Sequence, residues 1–120
     1  MEDAIATQGL SPRESAFLER IIQIIDSRLT DREFTVEHLS REAGYSRSQL
    51  HRKLAATTGV SASRLILLRR LTRAQRMMKE QPHPVNDIAR QVGFGSASYF
   101  TRCFREVIGM TPTEYVRHYA

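Results

Sequence analysis

The 120 residues contain no tryptophan, one cysteine and only four prolines and six glycines. A single thiol excludes an internal disulfide framework and suits a reducing compartment. Cys103 sits beside Phe104, where a small core or boundary residue is expected and a nucleophile is not. No apolar run is long enough to span a bilayer: Ala16 to Ile25 is interrupted by Glu19, Arg20 and Gln23, and Met1 to Gly9 is too acidic and polar for a secretory leader. His38, His51, His83 and His118 are dispersed, without metal-ligand spacing. No glycine-rich phosphate loop follows a strand, and no pair of acids converges in a foreseeable cleft. Enzymatic function, a metal and a cofactor are therefore not expected, nor is membrane association. Nothing alternates with period two over a useful length, so no sheet is expected either.

What is present is a biased charge distribution. Residues 1–40 carry four arginines against eight acids, a net −4, whereas residues 41–120 carry 14 Lys and Arg against five acids, a net +9. A basic excess confined to one part of the chain favours a polyanionic partner, because counterion release supplies most non-specific nucleic-acid affinity. It is equally what a solvated basic surface looks like.

The chain also says nearly the same thing twice, for the most part within its basic segment. Val36 to Gly44 aligns with Val85 to Gly93 and, after a one-residue insertion at Gly95, Ser46 to Gly59 aligns with Ser96 to Gly109. The register rests on Val36/Val85, Arg41/Arg90, Gly44/Gly93, Ser46/Ser96, Ser48/Ser98, Arg52/Arg102 and Gly59/Gly109. Each copy reads as a helix, a tight glycine turn and a second helix carrying arginine. That motif places one helix in a major groove, so its duplication suggests a reader of two neighbouring stretches of duplex DNA.

Capping residues place the helices. Ser11-Pro12-Arg13-Glu14 is a capping box with proline at the first helical position, and Leu18, Ile21, Ile22, Ile25 and Leu29 follow at helical spacing. A first helix is thus expected from Pro12 to Leu29. Thr35 caps a short helix through Ala43, which Gly44 ends in the left-handed region. Ser46-Arg47-Ser48-Gln49 opens a helix with Leu50 and Leu54 inward and Gly59 at its end. Ser61 caps the longest helix, through Lys79, before Pro82 and Pro84 forbid continuation. The second copy gives a helix over 85–92, a turn at Gly93-Phe94-Gly95, and a helix capped by Ser96 with Phe100, Phe104 and Val107 inward. Thr111-Pro112-Thr113-Glu114 starts a last short helix.

The expected organisation is all-α, about seven helices in two helix-turn-helix lobes joined by a linker helix. A flexible segment 1–11 precedes a domain over 12–120, with the first lobe at 12–59, the linker at 61–79 and the second lobe at 84–119. At about 1.5 Å per residue the linker reaches about 28 Å, close to the roughly 34 Å between successive major grooves on one face of B-DNA. Leu65, Ile66, Leu68, Leu71, Ala74, Met77 and Met78 are its packing residues. Arg69, Arg70, Arg73 and Arg76 are either phosphate clamps or structural partners of acids such as Asp87 and Glu80.

Three segments carry a resemblance: Ala43-Gly44-Tyr45-Ser46-Arg47-Ser48-Gln49-Leu50-His51-Arg52-Lys53-Leu54; Asp87-Ile88-Ala89 with Val92-Gly93-Phe94; and Ser98-Tyr99-Phe100-Thr101-Arg102-Cys103-Phe104-Arg105 through Gly109-Met110-Thr111-Pro112-Thr113-Glu114-Tyr115. They resemble the DNA-binding domain of the AraC/XylS family of bacterial transcription regulators, over about Glu14 to Tyr119. The resemblance implies seven helices, recognition helices entering adjacent major grooves, and in most members activation of transcription through RNA polymerase. Family members usually add an effector-binding, dimerisation or receiver domain; this chain resembles the output domain alone, so either a fragment of a longer regulator or a small stand-alone member is expected. A cytoplasmic, nucleoid-associated bacterial protein is the expectation that follows.

With Leu50 and Leu54 facing the core, Arg47, Ser48, His51 and Arg52 turn toward the groove. Arginine offers a fork matching guanine O6 and N7, and His51 can donate to a base or a phosphate. Arg52 contacts a base or phosphate, or else pairs with Glu42 or another acid. The second recognition helix offers Ala97, Ser98, Thr101 and Arg102, with Tyr99 at the margin, so only Arg102 brings a bidentate fork. The first lobe is therefore expected to carry more sequence information. Candidate phosphate contacts are Thr35, Ser46, Lys53, Ser96, Tyr99 and Arg105, helped by the amides opening the helices at Thr35, Ser46, Val85 and Ser96. The competing reading is an interaction module: a first helix with Glu14, Glu19 and Asp26 outside could dock a sensor domain, a second copy or polymerase.

Overall fold

A computed structural model of the chain describes residues 9–80 and 83–119. These form seven α-helices: α1 Pro12–Asp26, α2 Val36–Ala43, α3 Arg47–Thr58, α4 Ala62–Glu80, α5 Val85–Gln91, α6 Ala97–Ile108 and α7 Pro112–Tyr119. No strand occurs among the described residues, and the fold is all-α as expected. Residues 1–8 of the expected flexible segment, and Pro82 of the expected helix stop, lie outside the described residues.

Helix starts follow local hydrogen-bond chemistry. At α1 the Ser11 amide donates to Glu14 Oε1 (2.9 Å) while the Glu14 amide donates to Ser11 Oγ (3.1 Å), so two orphan donors of the first turn are satisfied reciprocally. Ser46 with Gln49 repeats this at α3, and Thr111 with Glu114 at α7. At α2 the reciprocal acceptor is a histidine: the Thr35 amide donates to His38 Nδ1 (3.1 Å). Pro84 stands at the N-cap of α5 and gives it no side-chain cap.

One boundary departs from expectation. α1 stops at Asp26, three residues short of Leu29, because Ser27 takes the cap and the Arg28 amide reaches back only to the Ile25 carbonyl (2.9 Å). Leu29 is nonetheless buried, which is why its spacing reads as helical. Val107, expected inward, is half-buried.

The chain divides into two compact units. One comprises the chain to Arg28 together with Glu33–Arg69, and the other Leu29–Arg32 with the chain from Arg70 onward. In the first, α1, α2 and α3 pack pairwise around an aliphatic core in which Leu18, Ile21, Ile25, Leu39, Leu50, Leu54 and Leu65 are fully buried. Burial of one such side chain stabilises by about 1.5–3 kcal/mol. The second has an aromatic core: Phe94 meets Phe100 edge-on (5.1 Å between centroids), Phe100 meets Phe104 (5.7 Å), and Phe104 meets Tyr115 edge-on (5.4 Å).

Two of the four linker arginines are structural, with partners other than Asp87 or Glu80. Arg69 grips Asp26 with a fork, Nε to Oδ1 at 3.0 Å and Nη2 to Oδ2 at 2.8 Å. Arg70 is buried and donates to main-chain carbonyls of Leu29, Val92 and Asp31. Burial lowers its pKa, and Asp31 partly opposes that shift. Asp87 pairs instead with Arg90, one turn along α5 (2.6 Å). Arg73 and Arg76 are exposed.

Candidate nucleic-acid interface

In the first unit α2 and α3 form the helix-turn-helix. Gly44 ends α2 at φ +83°, and the Tyr45 amide returns to the Ser40 carbonyl (2.9 Å), closing the turn within a few residues. Leu50 and Leu54 are fully buried, which fixes the rotation of α3 and leaves Arg47, Ser48, His51 and Arg52 exposed. These four line one open concavity of about 460 Å³ with Val36 and Ser61, Ala62 and Ser63 at the start of α4. The candidate base-reading residues of this lobe are thus gathered on a single face. Glu42, the acid that could have engaged Arg52, is paired with Arg28.

The phosphate candidates are placed less uniformly. Thr35 and Ser46 sit at helix starts with hydroxyl oxygens accepting first-turn amides, His38 at 3.5 Å and Gln49 at 3.1 Å. Lys53 lies outside the α3 concavity: its Nζ sits 5.4 Å from the ring centres of both Phe17 and Tyr45, beside Ser11, Arg13, Ala56 and Thr57. Cation–π attraction of this kind, on an exposed side chain, contributes about 0.5–1 kcal/mol.

In the second unit the same motif is built from α5, Gly93 and α6. Ser98 and Arg102 are exposed, Ala97 and Thr101 half-buried, and Phe100 and Phe104 fully buried. The Arg102 guanidinium stands 5.2 Å over the Tyr99 ring. The Tyr99 phenol is pushed above its ordinary pKa chiefly by hydrogen bonding with Cys103, with Arg102 partly offsetting the shift. Ser96 Oγ accepts the Tyr99 amide (3.1 Å), and Arg105 is exposed.

Some residues at these surfaces escaped the sequence reading. Ser63 and Val36 complete the α3 concavity, and Arg32, Asn86 and Arg90 line a second, of about 350 Å³, at the start of α6. Arg90 had a signal, as the repeat equivalent of Arg41; Arg32 lies outside the repeat and had none. The acidic face proposed for docking is reduced, since Glu14 serves the α1 cap and Asp26 holds Arg69.

Two helix-turn-helix units, each with a polar, arginine-bearing second helix exposed above a buried apolar face, define the architecture of a DNA-binding domain. A helix-turn-helix domain family model matches residues 39–118. The regulatory protein SoxS of Salmonella typhimurium is 30% identical, covering 84% of this chain and 92% of that protein. A histidine kinase of Formosa agariphila is also 30% identical over 92% of this chain, which there makes up 8% of the longer protein. Other curated relatives are longer than this chain, which spans between 26% and 52% of their length. Among solved structures, the DNA-binding domain of AdpA in complex with a target DNA is 25% identical, with a TM-score of 0.74 over 91% of this chain and 94% of that one. The chain belongs to the AraC/XylS family of transcription regulators and carries its DNA-binding domain, a DNA-binding and not a catalytic module. No helix among the described residues is long and apolar enough to cross a membrane.

Proposed function

We propose that residues 12–120 form one domain that reads an asymmetric stretch of promoter DNA, with α3 and α6 entering successive major grooves, and that the protein activates transcription through RNA polymerase. The observation that carries this is the convergence of Arg47, Ser48, His51 and Arg52 on one exposed concavity of α3. Two arginine forks on one helix face are the chemistry that discriminates guanine edges in a major groove, and the imidazole can donate to a base acceptor or a phosphate. Ala97, Ser98, Thr101 and Arg102 on α6 supply one fork, a methyl group and two hydroxyls, a weaker vocabulary suited to thymine methyls and tolerant contacts. Thr35, Ser46, Ser96, Tyr99 and Arg105 would fix the register on phosphates. The AdpA domain, solved with its target DNA, supports duplex DNA as the partner.

The greater length of most relatives supports a role as the output part of a longer regulator, whose sensor or receiver region lies outside these residues. Its place would be the bacterial cytoplasm, at the nucleoid. Binding-site selection from random duplexes tests the reading: two short, dissimilar blocks about one helical turn apart are expected. Neutralising six to eight phosphates gives a slope of log affinity against log salt of about −5 to −7. A flat salt dependence, or a palindromic selected site, would sink the proposal.

A further inference from the structure

Each helix-turn-helix turn is held from behind by an arginine of the preceding long helix. In the first unit Arg20, on α1, donates from Nη1 to the Ala43 carbonyl (2.8 Å) and from Nη2 to the Glu42 carbonyl (3.3 Å). In the second unit Arg70, on α4, donates from Nη1 to the Val92 carbonyl (2.9 Å), with further bonds to the carbonyls of Leu29 and Asp31. Ala43 and Val92 are equivalent in the repeat, each standing immediately before the turn glycine, Gly44 or Gly93. The donors correspond too. Leu18-Glu19-Arg20-Ile21 on α1 matches Leu68-Arg69-Arg70-Leu71 on α4, and donor and acceptor are 23 residues apart in one unit and 22 in the other. The repeat therefore spans three helices, α1-α2-α3 and α4-α5-α6, with one hydrogen bond preserved between the copies.

The acceptors explain why the donor is arginine. Ala43 and Val92 lie at the ends of α2 and α5, where carbonyls lack intrahelical partners and the helix dipole gathers negative charge. A guanidinium is permanently charged and presents a rigid fork, so it can hold such a carbonyl in direction as well as distance. From Ala43 only Gly44 and Tyr45 separate the held carbonyl from the Ser46 cap of α3, and from Val92 only Gly93 to Gly95 precede Ser96. The angle at which the recognition helix leaves the turn is thus tied to the fork.

We propose that Arg20 and Arg70 are paired positioning residues that aim α3 and α6, acting through the turn carbonyls and making no DNA contact themselves; this rests on the DNA-reading proposed above. The pair is unequal. Arg20 is exposed and holds two carbonyls, so it can be removed from a folded lobe, whereas Arg70 is buried and holds three.

The test uses the full chain and the duplex that the unaltered chain selects from a random pool. Arg52→Ala first identifies the block read by α3. Arg20→Ala is expected to lose about tenfold in discrimination between correct and substituted bases within that block alone, with the salt slope unchanged and part of the loss restored by Arg20→Lys. Arg70→Lys, chosen because Arg70→Ala can fail to fold, is expected to weaken discrimination in the other block only. Unchanged base preference in Arg20→Ala, an equal loss in both blocks, or a salt slope smaller by about 1, the mark of a lost phosphate contact, would each overturn positioning. If the unaltered chain selects no sequence, the DNA reading and the positioning role fail together. Selection by the unaltered chain, with Arg20→Ala indistinguishable from it, removes positioning only.

Discussion

The guanidinium of Arg70 occupies the space that a side chain at Gly93 would need. A Cβ built on Gly93 would fall 1.6 Å from Arg70 Nη1 and 2.4 Å from the Leu29 carbonyl oxygen, and Gly93 also adopts φ +87°. Its repeat partner Gly44 shares the left-handed backbone, φ +83°, but faces open space. The two glycines therefore answer different demands. Gly44→Ala is expected to cost about 1–2 kcal/mol, the left-handed penalty of an L-residue, and Gly44→Asn less. Gly93→Ala adds displacement of a buried arginine and is expected to cost more than about 4 kcal/mol or abolish folding. Urea unfolding of the three variants decides it, and equal costs at the two glycines would show that both Arg70 and the Leu29 backbone give way freely.

The lobes differ in side chains available for reading bases, and the variants should show it. Arg52→Ala is expected to weaken binding to the selected duplex by about 1–3 kcal/mol and to flatten preference at one base position. Arg102→Ala should cost less, because its guanidinium already lies over Tyr99 and the neighbouring Ala97 and Thr101 are half-buried. Anisotropy titrations at one salt concentration compare them. A larger relaxation of base preference in Arg102→Ala would reverse the assignment of the lobes.

Helix starts and the exposed face of α3 were legible because both are local. A cap needs residues three apart, and the phase of α3 is set by Leu50 and Leu54 within it. The end of α1 was misread at Leu29, since an apolar residue at helical spacing looks the same whether it continues the helix or folds under it after a turn. The arginines were the least legible. Arg69 meets Asp26 across 43 residues and Arg70 meets Leu29 across 41, and no local pattern distinguishes such an arginine from the exposed Arg73 and Arg76 on the same helix. Arg20 was hidden for the same reason, although the likeness of 18–21 to 68–71 was there to be seen.

Lys53 stands on α3 yet faces the rings of Phe17 and Tyr45, outside the concavity that gathers Arg47 and His51. Lys53→Met keeps most of the length of the stem and removes the charge. It is expected to lower stability by about 0.5–1 kcal/mol through loss of the cation–π contacts, and to leave the salt dependence of DNA binding as it was. A slope reduced by about 1, with stability intact, would make Lys53 a phosphate contact.

The last helix carries a pH dependence of definite sign. The Glu114 carboxylate accepts the Thr111 amide at 2.8 Å, and this bond, followed by that to the Thr111 side chain, holds its pKa below the ordinary value of 4.5. Nearby Arg105 and Arg117 act in the same direction. A carboxylate with a lowered folded-state pKa binds fewer protons folded than unfolded. Its contribution to stability is therefore fully present above 4.5 and is lost as the pH falls through the lowered value. Glu114→Gln keeps an acceptor for the Thr111 amide but cannot titrate. Thermal unfolding across the acid range should show the unaltered chain losing more Tm than Glu114→Gln, with the two differing least at the acid end. Parallel acid profiles would mean that the Thr111 cap is no stronger with a carboxylate than with an amide.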